Sequence, residues 1–320
     1  MNHIRDWNKA NYFEIFTHGI IMGTINKLPG ISGGLYSLII GFYNHLIESI
    51  KSINYKNLSI LKSQGIKPFI KSINGSFLFF ISFGMIMSYF TTSKVLDYFL
   101  IKNELYVWSV FFGLILGSLC ILIKRIKKTT INTSLFMLLG LIFGIFISLS
   151  DPLYENKSLL FVFFCGFISI CGITIPGISG SFLLILLGNY KLLLVDSVNN
   201  FFNLISNFFN SSDEKLIIDN ELSNILLIFF IGSVFGLIIL SKFLTYINKK
   251  FPDQLDHLII GFVIGTLSIV WPWNQIKNNL DPIDFSNSLN WIAIILILTG
   301  ILITIIVNSY VDKKNIRLNR

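Results

Sequence analysis

Charge is what this chain has least of. Asp, Glu, Lys and Arg make up 13% of its 320 residues, about half the ~25% usual in soluble domains. That shortage excludes an ordinary water-soluble fold. Cysteine is scarce as well. Cys120, Cys165 and Cys171 all lie in apolar runs without metal-ligand spacing, so neither a disulfide framework nor a metal site is expected, and no cofactor is implied. The polar N-terminal stretch lacks a small-residue cleavage site, so no cleavable signal peptide is expected. The net charge of +8 is not gathered into a compact patch, which argues against a nucleic-acid partner.

What the chain does have is apolar length. Hydrophobic residues reach 53% and the mean hydropathy is +0.71. Long apolar runs cover 77–90, 105–123, 135–149, 159–175, 225–240, 258–270 and 291–307. An all-α polytopic membrane protein is the expected fold class.

A pentapeptide occurs twice, as Pro29-Gly30-Ile31-Ser32-Gly33 and Pro176-Gly177-Ile178-Ser179-Gly180, 147 positions apart. The register persists beyond it. Gly41 and Tyr43 recur as Gly188 and Tyr190, and with one residue of slippage the stretch 93–98 meets 241–246 and Gly113 and Gly117 meet Gly261 and Gly265. The chain is therefore an internal duplication, with repeats at 1–150 and 151–320. Each repeat is expected to hold a re-entrant helix hairpin, 14–50 or 159–195, broken at its Pro-Gly, followed by three transmembrane helices. Non-helical backbone at membrane depth is tolerated only inside protein or beside a wet cavity.

Charge sorts by loop. With six crossings and each hairpin returning to its own side, the termini and loops 51–74, 124–130 and 242–256 share a face that holds 18 of the 25 Lys and Arg residues. Eleven of the 17 acids fall opposite. The positive-inside rule then places both termini in the cytoplasm, with Trp108, Trp271, Trp273 and Trp291 at the outer interface. Three crossings separate the hairpins, so the repeats are inverted, an arrangement found in secondary transporters whose sites lie where two broken elements meet.

The motif has a chemistry of its own. Its glycines let a ligand or the partner hairpin approach the backbone. Ser32 and Ser179 can cap the arms that follow, and exposed N–H groups at a helix start suit an anion such as phosphate. The candidate binding set is Asn26, Lys27, Pro29, Gly30, Ser32, Gly33 and Gly34 in the first copy. In the second it is Thr174, Pro176, Gly177, Ser179, Gly180 and Ser181. The same glycines also suit plain helix packing. Lys27 either touches the ligand or snorkels to water. Glu14 and His18, spaced i, i+4, form a candidate proton relay or a solvated pair at the membrane entry. Tyr43 and Tyr190 read as interface anchors, and Asn189 as a residue that caps or turns the second arm.

These residues carry a resemblance. Gly19-Ile20-Ile21-Met22-Gly23 leading to Leu28-Pro29-Gly30-Ile31-Ser32-Gly33-Gly34 and Gly41-Phe42-Tyr43 is similar to the first signature of the PopT-type polyprenyl-phosphate translocase family. Pro176-Gly177-Ile178-Ser179-Gly180-Ser181-Phe182 with Gly188-Asn189-Tyr190 is similar to the second. The resemblance covers essentially the whole chain. It implies a non-enzymatic carrier in the bacterial plasma membrane that returns undecaprenyl phosphate from the outer to the cytoplasmic leaflet, recycling the lipid for peptidoglycan and other envelope polymers. Members often carry an acidic residue where this chain has Asn26, so any proton or ion coupling here falls to Glu14, His18 or another group. A rival is an enzyme like the undecaprenyl-pyrophosphate phosphatases, whose PGxSRS-like motif places an arginine where this chain has Gly33 or Gly180. Phosphoryl transfer needs such positive charge on the transferred oxygens. A small-anion channel or transporter is the other alternative.

Overall fold

A computed structural model describes residue 7 and residues 10–126, 128–149, 155–174, 178–209, 216–275 and 288–318. Among these residues all regular structure is helical. In chain order the helices are α1 (Tyr12–Lys27), α2 (Gly33–Ile40), α3 (Tyr43–Lys51), α4 (Tyr55–Gln64), α5 (Ile66–Ser72), α6 (Gly75–Lys102), α7 (Glu104–Arg125) and α8 (Ile131–Leu149). Then follow α9 (Leu159–Ser169), α10 (Cys171–Thr174), α11 (Gly180–Leu186), a π-helical turn at Leu192–Asp196, α12 (Ser197–Phe209), α13 (Asn220–Lys250), α14 (Pro252–Thr266) and α15 (Ser288–Leu318).

Five of these helices are long and apolar enough to cross a membrane: α6, α7, α8, the Asn220–Leu240 part of α13 and the Ser288–Ser309 part of α15. The chain is a polytopic all-α protein. The run at 258–270 departs from expectation. It becomes α14, only 15 residues long, about 22 Å of rise against a hydrocarbon core of roughly 30 Å. Pro252 occupies its first turn, where the missing N–H costs nothing. Beyond Thr266 the bonds shorten to Leu267 N–Ile264 O at 3.3 Å and Ile269 N–Thr266 O at 3.1 Å. Pro272 lies just ahead and biases the preceding residue away from helix.

Contacts divide the chain into two compact units. The first comprises 1–25, 33–91 and 309–320, the second 26–32 and 92–308. In the first, Trp7, Ile15, Met22, Tyr36, Phe42, Phe77 and Ile81 form one buried cluster, so α1, α2 and the start of α6 share a core. The first hairpin therefore folds back on itself. Gly19 and Gly84 bring α1 and α6 together: a Cβ on either would lie 3.0 Å from the other's Cα.

The second unit contains three helix pairs made the same way. Gly166 and Gly232 join α9 to α13, Gly113 and Gly300 join α7 to α15, and Gly261 and Gly140 join α14 to α8. In each pair an added Cβ would strike backbone of the other helix. Small residues let helix backbones approach where no hydrophobic drive exists between helices in lipid.

These contacts repeat the duplication atom for atom. A Cβ on Gly19 would meet Ile81 O and one on Gly84 would meet Phe16 O; their counterparts Gly166 and Gly232 would meet Phe229 O and Phe163 O. The second spans exchange partners. Gly113 and Gly117 of α7 face Ile297 and Ile301 of α15, while Gly261 and Gly265 of α14 face Met137 and Leu141 of α8. The short arms also end alike. Gly41 and Gly188 stand at φ 94° and 71°, and Phe42 N bonds Ser37 O as Asn189 N bonds Leu184 O, at 3.1 and 3.0 Å. This is a glycine-terminated helix end closed by a six-residue bond.

The α14–α8 contact is backbone against backbone, so Gly261→Ala should cost roughly 1–3 kcal/mol by overpacking. Gly65→Ala, at φ +88° and ψ −175° with nothing within 4 Å, should cost about 1–3 kcal/mol, from backbone strain alone. Thermal unfolding of the detergent-purified protein should show a midpoint below that of the unaltered chain for both variants. An unchanged midpoint for Gly261→Ala would mean that the two helices relax apart.

Candidate functional site

The break of the first hairpin, 26–32, belongs to the second unit, and residues of the second repeat hold it there. Gly30 N donates to Ser179 Oγ at 3.0 Å. That hydroxyl also accepts from Phe182 N at 3.2 Å, which caps α11 at a donor that has no partner within the helix. The Ser181 hydroxyl lies 3.1 Å away. The two Pro-Gly-Ile-Ser-Gly segments are thus joined directly.

Lys27 is the other fastening. It closes α1, whose last carbonyls lack intrahelical donors, and Tyr190 OH donates to Lys27 O at 2.9 Å. Its side chain is fully buried. Nζ donates to Ser93 Oγ and, at 2.6 Å, to Leu194 O, while Ser93 Oγ donates to the same carbonyl at 2.9 Å. Leu194 lies in the π-helical turn, where Ser197 N–H reaches back five residues to Leu192 O. Such turns interrupt the α-helical ladder and recur at functional sites. Asp196 follows; burial pushes its carboxyl above the usual range, Lys191 opposing and Asp97 and Glu155 adding to the shift.

Gly30 cannot be replaced without strain. Its φ is +87°, and a Cβ would stand 2.6 Å from Leu114 O and 3.0 Å from Ile115 N in α7. Only glycine takes that conformation without penalty and lets α7 come so close. Ile31 and Ile178, one in each motif, are both buried.

The structure brings Lys27, Gly30, Ser179 and Ser181 together, with Gly180 packed against Ser169. Pro29 is buried, and Asn26 and Ser32 are half-buried beside it. Gly33 and Gly34 open α2 in the first unit, where Ser37 Oγ donates to Gly34 O at 2.7 Å. Thr174 ends α10. Pro176 and Gly177 lie outside the described residues. Glu14 and His18 are in the first unit, with 3.6 Å between His18 Nε2 and Glu14 Oε1 and 2.7 Å between His18 Nδ1 and Tyr36 OH. The three groups make a continuous polar chain.

Several sequence expectations need correction. Lys27 does not snorkel: its amine points inward to Ser93 and Leu194. Tyr190 is no interface anchor but a buried donor, because the end of α1 needs one. Trp108 and Trp273 are buried too; Trp273 Nε1 donates to Asn290 Oδ1 at 3.0 Å, which satisfies its polar edge internally. Asn189 does turn the second arm, and it also grips the main chain of Asn156, accepting from N and donating to O at 2.8 Å each. Ser93 and Leu194 were missed. The signal for Ser93 was its recurrence as Ser241 where the stretch 93–98 meets 241–246.

The family model described as undecaprenyl phosphate translocase-like matches residues 22–289. The chain belongs to that family. Within it, the chain is similar to the polyprenyl-phosphate transporter of Vibrio cholerae serotype O1, 31% identical over 323 residues, covering 95% of this chain and 98% of the relative. It is also similar to the polyprenyl-phosphate transporter of Staphylococcus aureus, 28% identical over 268 residues, covering 79% and 84%. No solved structure matches it. The family and relatives are named for transport rather than for an enzyme.

Removing either side of the lysine network should have unequal effects. Ser93→Ala takes an acceptor from the buried amine, a loss of about 1–3 kcal/mol. Lys27→Met removes the amine and leaves Leu194 O still bonded to Ser93, so its cost should be smaller, about 1 kcal/mol. Unfolding midpoints of the purified variants should fall further for Ser93→Ala. The reverse order would mean that Ser93 does not stabilise the amine.

Proposed function

We propose that the chain carries undecaprenyl phosphate from the outer to the cytoplasmic leaflet of the bacterial plasma membrane, returning the lipid to peptidoglycan and other envelope synthesis. The observation that carries this reading is the hydrogen bond from Gly30 N to Ser179 Oγ at 3.0 Å, which joins the two motif copies. Membership of a translocase-like family and two relatives named for polyprenyl phosphate supply the substrate class.

The proposed architecture is a pair of inverted repeats whose re-entrant hairpins enter from opposite faces, both termini being cytoplasmic. The exchanged partners of α7 and α14 support a two-fold relation between the repeats. The head group passes between the breaks while the prenyl tail stays in lipid. Ser32 and Ser179 with their neighbouring amides hold the phosphate, as helix starts do, and Lys27 balances its charge. Asn26, Pro29, Gly33 and Gly34 of the first copy and Thr174, Pro176, Gly177, Gly180 and Ser181 of the second complete the proposed binding set. Glu14, His18 and Tyr36 form the path for a coupled proton.

Proteoliposomes loaded on one leaflet with undecaprenyl phosphate, with the pyrophosphate as parallel substrate, test this reading. The monophosphate should cross without release of inorganic phosphate. Gly30→Val should abolish crossing while the protein still inserts, and Ser179→Ala should slow it at least tenfold. Phosphate release from the pyrophosphate would point to an enzyme, and silence with both lipids to a small-anion path.

A further inference from the structure

The two repeats differ most in the segment that follows the second arm. In the first repeat this segment is 51–74, which holds Lys51, Lys56, Lys62, Lys67 and Lys71 and no Asp or Glu. Its counterpart in the second, 198–221, holds one lysine, Lys215, against Asp213, Glu214, Asp219 and Glu221. Both segments start with helix, α4 and α5 in one and α12 in the other.

No residue of α4 or α5 is buried, although both are rich in large apolar side chains. Tyr55 is 91% exposed and Ile66 64% exposed. In α5 and its end, Ile66, Phe69, Ile70 and Ile73 recur at i, i+3, i+4 and i+7, one stripe of a helix, while Lys67 and Lys71 fall to one side of it. The pair is a built element rather than a loose loop. Asn54 Oδ1 caps α4 by accepting from Asn57 N at 3.0 Å, and Gly65 at φ +88° turns the chain into α5. A preformed helical corner with an apolar stripe and a one-signed row of lysines is suited to the plane of a bilayer surface, where the stripe enters the acyl boundary and the ammonium groups meet lipid phosphates.

We infer that α4 and α5 form a membrane-surface element that docks on anionic phospholipid head groups of the leaflet on their own side of the membrane. The charge settles the occupant. Each lysine near an anionic surface adds to the attraction, and no acid in 51–74 opposes it. The counterpart α12 serves as an internal control. It exposes Phe208 and Phe209 but has no charged residue within Ser197–Phe209, so it should dock through apolar contact alone, without regard to lipid charge.

Hydrogen–deuterium exchange of the full-length protein in proteoliposomes tests this, comparing phosphatidylcholine vesicles with vesicles that also contain phosphatidylglycerol. Backbone amides of 55–72 should exchange at least fivefold more slowly in the anionic vesicles, and those of 197–209 should not change. The variant Lys56→Gln/Lys62→Gln/Lys67→Gln/Lys71→Gln, all at exposed positions, should lose the slowing. Fast exchange in both vesicles would overturn the inference and leave the stripe to a protein partner. Equal protection in both, or an equal response of α12, would overturn it as well, because lysine charge would not then be selecting the surface.

Discussion

A fully buried lysine side chain sets the terms for this protein. Moving a polar group of this kind out of water without replacement hydrogen bonds costs roughly 2–7 kcal/mol. The cost is bearable only where hydrogen-bond acceptors are already in place. For Lys27 they come from the far end of α6, as Ser93, and from a π-helical turn, as Leu194 O. The same residue's carbonyl is taken by Tyr190, and three residues on Gly30 meets Ser179. The first break is consequently fixed at several points by groups from elsewhere in the chain. Its neighbours on both sides, 1–25 and 33–91, belong by their contacts to the other compact unit.

Around that fastening the scaffold is made of helices in backbone contact. Gly19 with Gly84 and Gly166 with Gly232 are the same joint made twice, and α7–α15 and α14–α8 are a second joint made twice. Contacts of this kind have little side-chain freedom to absorb a change, so they resist deformation. The breaks are different. The first is a short non-helical segment between two arms, and the second arms, α2 and α11, are only eight and seven residues long. The spans are thus held by backbone packing, and the first break by hydrogen bonds to the second repeat.

Much of this was legible in the residues. The duplicated pentapeptide marked the elements that meet, because proline and glycine impose a break wherever they stand together. The repeated Gly41 and Gly188 marked both arm ends, since a left-handed residue there is nearly always glycine. Gly113, Gly117, Gly261 and Gly265 were legible as a pair of pairs, and all four turned out to be helix-packing positions. The partners of Lys27 were not legible. Ser93 is 66 residues away and Leu194 is 167 away, and the second acceptor is a main-chain carbonyl, which no side chain advertises. Tyr190 misled for a related reason: an amphipathic ring suits an interface and a buried donor equally well, and only the open carbonyl at the end of α1 decides between them. The run at 258–270 was apolar enough to suggest a span, but hydropathy does not register where Pro252 and Pro272 begin and end a helix.

The distance of 167 residues between Lys27 and Leu194 also has a meaning in time. At synthesis rates of about 5–20 residues per second, roughly 8–30 s separate the emergence of the lysine from that of its acceptor. Throughout that interval the amine has no π-helical turn to bond to, and Tyr190 is absent as well. The nascent first hairpin must keep its lysine near water or another polar group until the second repeat has been made. The two halves of the gene product therefore do not mature in the order in which they leave the ribosome, and the last step in assembling the first repeat waits on the second.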